Sequence, residues 1–316
     1  MQFTRRSVQT AAALAVVGSL LASPALAQDK PKIALVMKSL ANEFFRTMED
    51  GAKDYQKAHA DEFELIANGI KNETDTGEQI RIVEQMVNAG AKALVIAPAD
   101  SKALVSAVKK AMDQGVVVIN IDNRLDPALL KSKGISVPFV GPDNRKGARL
   151  VGDFLANKKL KAGDQVGIIE GVPTTTNAQQ RTAGFKDAME ASQVKIVSVQ
   201  SGNWEIDKGN AVAASMLNEY PDLKALLAGN DSMALGAVSA VRAAGKTGQV
   251  QVVGYDNINA IKPMLADGRV LATLDQAASQ QAVYGIQAAL KMVKGEKPDV
   301  DADNVIQTPV QLITKP

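Results

Sequence analysis

From residue 28 onward, short unbroken apolar runs alternate with longer stretches in which apolar residues recur every third or fourth position. The runs fall at 32–37 (KIALVM), 63–67 (FELIA), 93–97 (ALVIA), 116–121 (VVVINI) and 137–140 (VPFV). They continue at 165–170 (QVGIIE), 194–199 (VKIVSV), 225–229 (ALLAG), 250–254 (VQVVG) and 270–274 (VLATL). A strand that is apolar without alternation has both faces covered, which points to parallel sheets flanked by helices. The intervening stretches supply those helices. In "TGEQIRIVEQMVNAG" (76–90), Ile80, Val83, Met86 and Val87 form one apolar face and Gly90 closes the end. Ten such strands are many for one doubly wound sheet.

An internal repeat divides them. Residues 92–123 read "KALVIAPADSKALVSAVKKAMDQGVVVINIDN", and 224–257 read "KALLAGNDSMALGAVSAVRAAGKTGQVQVVGYDN". Each runs strand, a turn containing Asp-Ser, an Ala/Val-rich helix, a glycine, a strand and then Asp-Asn. The pattern predicts two similar α/β lobes with matching loops that carry Asp122 and Asp256. One repeat pair argues against a solenoid. The lobes need not be contiguous, because the last helix and strand can cross back.

In an open parallel sheet, ligands bind beyond the carboxyl ends of the strands. Those ends carry Lys38, Asn42, Phe44 and Phe45 after the first strand, and Asp122 and Asn123 after the fourth. The second lobe adds "GVPTTTNAQQR" (171–181), Trp204, Asn230-Asp231, Tyr255-Asp256 and Gln276. Four of the twelve aromatic residues therefore stand at strand ends, among amides and carboxylates that form several hydrogen bonds each. A neutral polyhydroxylated ligand needs this mixture: flat rings for its C–H faces, and Asp, Asn and Gln for its hydroxyls. Each charged hydrogen bond contributes about 1.5–3 kcal/mol. Three or four plus stacking amount to ~8 kcal/mol, or micromolar affinity, after association costs. Taken singly, these residues have plainer roles. Asp or Asn after a strand caps the next helix, and the Phe44–Phe45 pair fits a core as well as a pocket wall.

Charge and composition narrow the classes. The formal net charge is +2, and no basic patch with interleaved aromatics marks a nucleic-acid surface. The chain has no cysteine, which excludes disulfides, thiolate catalysis and Cys-based zinc sites. Its one histidine, His59, lies in the polar stretch "KAHADEF" and reads as a solvated surface group. "AAGKT" (243–247) fails as a phosphate loop, since Ala240 stands where that motif needs glycine and the segment follows a helix. "DVDADN" (299–304) fails as a calcium loop, with Asn304 and Val310 at the required glycine and glutamate positions. Asp122 and Asp256 form the one pairing fit for a glycosidase, with nothing to position a water. No enzyme, cofactor or metal is expected. Residues 1–27 combine a basic start (MQFTRRSVQT), an apolar run too short to span a bilayer and Ala25-Leu26-Ala27, an A-x-A site. They predict a signal peptide cleaved after Ala27.

The segments "IALVMKSLANEFF", "ALVIAPADS", "INIDN", "RTAGF", "AGNDSMALGA", "VVGYDN" and "LATLDQ" occur in an order and spacing that resembles the periplasmic sugar-binding proteins of ABC importers, in their ribose-binding-like group. The resemblance covers essentially all of the chain after residue 27. It implies a type I periplasmic binding protein fold of two Rossmann-like lobes, with three hinge crossings near 141–142, 276–277 and 308–309. The lobes would comprise 28–141 plus 277–308, and 142–276 plus 309–316. It implies capture of a monosaccharide or sugar alcohol between closing lobes, delivery to a membrane permease, a periplasmic location and a monomer. By position it assigns ligand contacts to Lys38, Asn42, Phe44, Phe45, Asp122, Asn123, Gln179, Trp204, Asn230, Tyr255, Asp256 and Gln276. Ribose binders of the group carry arginines at the positions of Asn123 and Gln179, and a small hydroxyl residue at that of Lys38. These departures favour a sugar alcohol, with Lys38 balanced by a carboxylate such as Asp122, and leave a sugar acid as a further option. The ligand-sensing domain of a LacI-type repressor shares the fold but needs a helix-turn-helix where residues 1–27 show none. A carrier for a chemoreceptor is the remaining alternative.

Overall fold

β1 (Lys32–Ser39) is buried along seven of its eight positions, and its side chains divide between two cores by strict alternation. Ile33, Leu35 and Met37 face α1 (Glu43–Ala58), while Ala34 and Val36 face α2 (Thr76–Asn88). The unbroken apolar run follows from that two-sided burial. The computed structural model describes residues 30–315, so the expected signal peptide and its cleavage site after Ala27 lie outside the described residues. No helix among them is long and apolar enough to cross a membrane.

The first lobe continues through β2 (Glu64–Ile70), β3 (Ala93–Ile96), α3 (Val105–Asp113), β4 (Val117–Ile121), α4 (Pro127–Ser132) and β5 (Phe139–Gly141). The second runs α5 (Asn144–Lys159), β6 (Gln165–Glu170), α6 (Thr176–Ala191), β7 (Lys195–Ser201), α7 (Ile206–Glu219) and β8 (Leu223–Ala228). It goes on through α8 (Asp231–Ala243), β9 (Gln251–Val253), α9 (Lys262–Ala266) and β10 (Ala272–Asp275). The chain then returns to the first lobe as α10 (Ala278–Val293) and β11 (Val305–Gln307), and crosses once more to end as β12 (Gln311–Thr314). Two six-stranded sheets result, ordered β11-β5-β4-β3-β1-β2 and β12-β10-β9-β8-β6-β7. Every pairing is parallel except that of β12 with β10.

The repeat now has a spatial meaning: β3-α3-β4 and β8-α8-β9 occupy equivalent places in the two sheets. β11 and β12 escape the sequence pattern because neither is an unbroken apolar run and both are partly exposed. α10 packs on α1 and on β3 and β4 of the first lobe. A Cβ on Gly285 of α10 would lie 2.7 Å from Val95 Cγ1, so that close approach requires glycine. On α2, buried Gln79 donates from Nε2 to the carbonyls of Met37 (3.0 Å) and Ala97 (2.8 Å) and accepts from Ala99 N–H (2.7 Å). It thereby pins the carboxyl ends of β1 and β3. His59 is less solvated than its surroundings in sequence suggest: its ring stacks on Tyr55 with centroids 4.0 Å apart. Gly245 lies just past the end of α8 with φ +67°, and Asp301 accepts from the backbone of Asp303 and Val305 at 2.9 Å in a tight turn.

Candidate functional site

The carboxyl ends of the two sheets face one another, and the gap between them is lined from both sides. From the first lobe, Asn42 caps α1 by accepting from Phe44 N–H (3.0 Å) and donates from Nδ2 to Glu73 Oε1 (3.0 Å). That cap fixes Phe44 and Phe45, which meet edge to face with centroids 5.2 Å apart. Both are buried in the core and both line the gap, so one pair serves as core and as wall. Lys38 leaves the end of β1 and places Nζ 3.0 Å from Glu73 Oε2, about 5.4 Å from both the Phe45 and Trp204 ring centroids (5.5 and 5.3 Å). Its ion-pair partner is therefore Glu73, which corrects the expectation of a carboxylate such as Asp122. Glu73 went unrecognised because β2 runs to Ile70, three residues beyond the apolar run that marked it. Its loop is nonetheless a strand-end loop like the others.

From the second lobe, Arg181 is 3 % exposed and held on all sides. Nε donates to Asn144 Oδ1 (2.8 Å), one terminal nitrogen to the Gly229 carbonyl (3.0 Å) and the other to Gln276 Oε1 (3.3 Å). Asp256 Oδ1 lies 3.6 Å from the guanidinium and accepts from Gln276 Nε2 at 2.7 Å. Asn230 caps α8 by accepting from Met233 N–H (2.9 Å) and donates to the Trp204 carbonyl (3.2 Å). These groups, with Asn177, complete the lining of a gap that its own side chains nearly fill, with a cavity volume of about 10 Å³.

Three assigned contacts fall elsewhere. Gln179 is exposed, and its amide turns to the Pro173 carbonyl at 2.8 Å. α6 begins at Thr176, so positions 177 and 181 share the inward face while 179 points away. Tyr255 is fully buried behind the site, with its ring 3.8 Å from the Arg181 guanidinium carbon. Asn123 is fully buried beside the gap, with Nδ2 donating to the Pro98 carbonyl and Oδ1 turned to α6. Asn177 and Arg181 were overlooked as individuals although their segment was singled out. Helical phase, once the start of α6 is known, separates them from Gln179.

The backbone is unusual where the side chains converge. Asp122, Trp204 and Asp256 all have positive φ (61°, 67° and 125°), as do Asn203, Asn257 and Ala277. Such conformations cost of order 1–3 kcal/mol each and persist where the surroundings fix them. Burial pushes the carboxyls of Glu73, Asp122 and Asp256 above the ordinary range, while Lys38 pulls back the first two and Arg181 the last two. Asp122 Oδ2 and Trp204 Nε1 are buried without a hydrogen-bond partner, and Glu73 Oε2 has only the ammonium of Lys38. Buried polar atoms are nearly always paired. These supply two acceptors and a donor for a ligand's hydroxyl groups, between flat aromatic walls.

The Trp204 indole rests on Gly171, where a Cβ would fall 2.0 Å from ring carbons. Gly171→Ala should therefore displace the indole and weaken ligand binding at least tenfold, with little effect on β6, which ends at Glu170. Calorimetric titration checks this, and unchanged affinity would remove Trp204 from the binding role.

Behind the site, fully buried Asp231 accepts from Thr273 Oγ1 (2.7 Å) and Ile258 N–H (3.1 Å), yet burial outweighs these bonds and pushes its carboxyl up to about 6. The folded state thus holds its proton more tightly than the unfolded one. This contribution to stability is full below about pH 3.8 and is lost as pH rises through about 6. Relative to Asp231→Asn, the wild type should lose melting temperature across that window; parallel melting curves from pH 4 to 7 would contradict it.

Sequence and structure comparisons agree with this fold. The periplasmic binding protein domain family matches residues 33–297. The D-ribose/D-allose-binding protein of Pseudomonas aeruginosa is 75% identical over 91% of this chain and 90% of its own length. An ABC transporter solute-binding protein from Burkholderia multivorans, solved with an unknown ligand built as α-D-erythrofuranose, superposes with a TM-score of 0.87. It is 72% identical, covering 90% of this chain and 99% of that one. A periplasmic solute-binding protein from Actinobacillus succinogenes with bound D-allose gives 0.83 at 34% identity, covering 90% and 98%.

Proposed function

The chain belongs to the periplasmic binding protein domain family, and from that premise we propose that it captures a neutral aldose, of the ribose or allose type, for an ABC importer. The observation that carries this reading is the inter-lobe gap, where the Phe44, Phe45 and Trp204 rings surround buried carboxylates and amides. The ring form is favoured over a sugar alcohol because a rigid guanidinium fork is present after all, supplied by Arg181 at a position two residues from Gln179. An anionic sugar is disfavoured: Lys38 and Arg181 face three carboxylates, Glu73, Asp122 and Asp256. The naming of D-ribose and D-allose for a 75% identical relative supports the same choice. The reading extends to a monomer that hands its sugar to a membrane permease, in keeping with the ABC transporter solute-binding proteins it resembles. Export completes the reading, and the exported protein should begin at Gln28 on amino-terminal sequencing.

A thermal-shift and calorimetry panel of D-ribose, D-allose, ribitol and ribonate tests the ligand. An aldose at 100 times its dissociation constant stabilises the folded state by ~2.7 kcal/mol, a shift of a few degrees in melting temperature. Ribose or allose should give that shift and ribitol and ribonate should not. A response to ribitol alone would restore the sugar alcohol, and one to ribonate alone the sugar acid.

A further inference from the structure

α6 carries Asn177 and Arg181 into the gap, yet its own N-cap does not cap it. The Thr175 side chain makes no capping bond and donates instead to the Val172 carbonyl at 2.7 Å. The first amides of a helix have no partner within it and need one from outside. Here two of them find it across the cleft. Thr176 N–H donates to Ser101 Oγ at 2.9 Å and Asn177 N–H to Asn123 Oδ1 at 3.3 Å, both acceptors belonging to the first lobe. The acceptors are joined to each other, since Ser101 Oγ donates to Asn123 Oδ1 at 3.3 Å, and Thr176 Oγ1 donates to the Arg124 carbonyl at 3.1 Å. Ser101 and Asn123 are 3 % and 0 % exposed.

We propose that Ser101, supported by Asn123, is a positioning residue that caps the ligand-bearing helix α6 from the opposite lobe. The cap then exists only while the lobes are closed and acts on the sugar through Asn177 and Arg181. This inference rests on the sugar-capture reading and adds a device to it. Opening the lobes exposes two helix amides to water, so the cap contributes to holding the closed state and not to the fold of either lobe. Asn123 therefore has a binding role without a ligand contact. The closed form carries a second contact of the same kind, from the Glu43 carboxylate to the backbone N–H groups of Asn259 (2.8 Å) and Ala260 (3.1 Å). Glu43 is more exposed than Ser101, and water competes for it.

Ser101→Ala removes the acceptor with almost no change in volume. Stopped-flow fluorescence of Trp204, the only tryptophan, follows release of D-ribose and D-allose. The dissociation rate should rise about fivefold, the usual effect of losing a cap, with the association rate unchanged because the cap forms after encounter. The melting temperature of the sugar-free protein should not move, and Ser101→Thr should restore slow release. Wild-type dissociation in Ser101→Ala, or a sugar-free melting temperature lowered as much as the sugar-bound one, overturns the inference while the sugar-capture reading stands. A wild type that binds neither sugar overturns that reading and this inference with it.

Discussion

Replacing Arg181 by methionine should raise the dissociation constant for the sugar by about a thousandfold and lower the melting temperature as well. The guanidinium is buried, gives three of its five N–H donors to protein acceptors and is pressed between the rings of Trp204 and Tyr255, with centroids 5.4 and 3.8 Å from its central carbon. Removing one partner of a buried charged network costs about 3–5 kcal/mol, because the charge left behind has nowhere to turn. Here Asp256 would be that charge. The Gly229 carbonyl and the Asn144 amide would also lose their donors. Lysine keeps the charge but cannot reproduce three directed bonds from one plane, so Arg181→Lys should also lose most of the affinity. Calorimetric titration and thermal melts of both variants decide the matter. Near wild-type affinity in the lysine variant would show that charge alone is used and would undo the argument for a forked, ring-reading contact.

Asp122→Asn should weaken sugar binding by about 2–4 kcal/mol, thirtyfold to a thousandfold, as expected when a charged acceptor in a buried site is lost. Asn is the better substitution than Ala because the residue holds φ 61°, a conformation that Asn tolerates and Ala does not. Asp122 Oδ2 has no hydrogen-bond partner among the described residues, so the substitution should act on ligand binding more than on the fold. Asp303→Ala, on an exposed turn that is not part of the lining, should leave affinity unchanged. If the two variants bind alike, the site has been placed on the wrong loops.

The sequence exposes this site unevenly, for reasons that follow from geometry. Asp122 and Asp256 stand out because duplication put each on the same loop of an equivalent strand, and the comparison of two segments needs no structure. Phe44, Phe45 and Trp204 stand out because aromatic residues are few and these sit at strand ends. Glu73 is hidden by composition, since the end of β2 reads "NGI" and the polar Asn68 and Gly69 cut the apolar run short before the strand itself ends. Arg181 is hidden by phase: a segment can be named from its place after β6, but a single-residue error in the phase of α6 turns its inward face by about 100°. The partner of Lys38 is hidden by distance, being set by the packing of β1 against β2. β11 and β12 are edge strands too short and too wet to carry a period. They are known only by the strands they pair with.

The crossing of the chain between lobes has a consequence for the order in which the molecule can be assembled. Neither sheet is complete until residues 305–314 exist, because β11 and β12 are the last strands and each closes the edge beside β5 or β10. The first lobe also waits for α10, which begins at Ala278 although β5 has ended at Gly141. A chain emerging from its amino terminus therefore cannot finish either half early, and contacts of such long sequence separation form slowly. Incompleteness of this kind should keep the nascent polypeptide loose until its carboxyl end is released. That is the condition in which a chain can still be threaded through a narrow export channel.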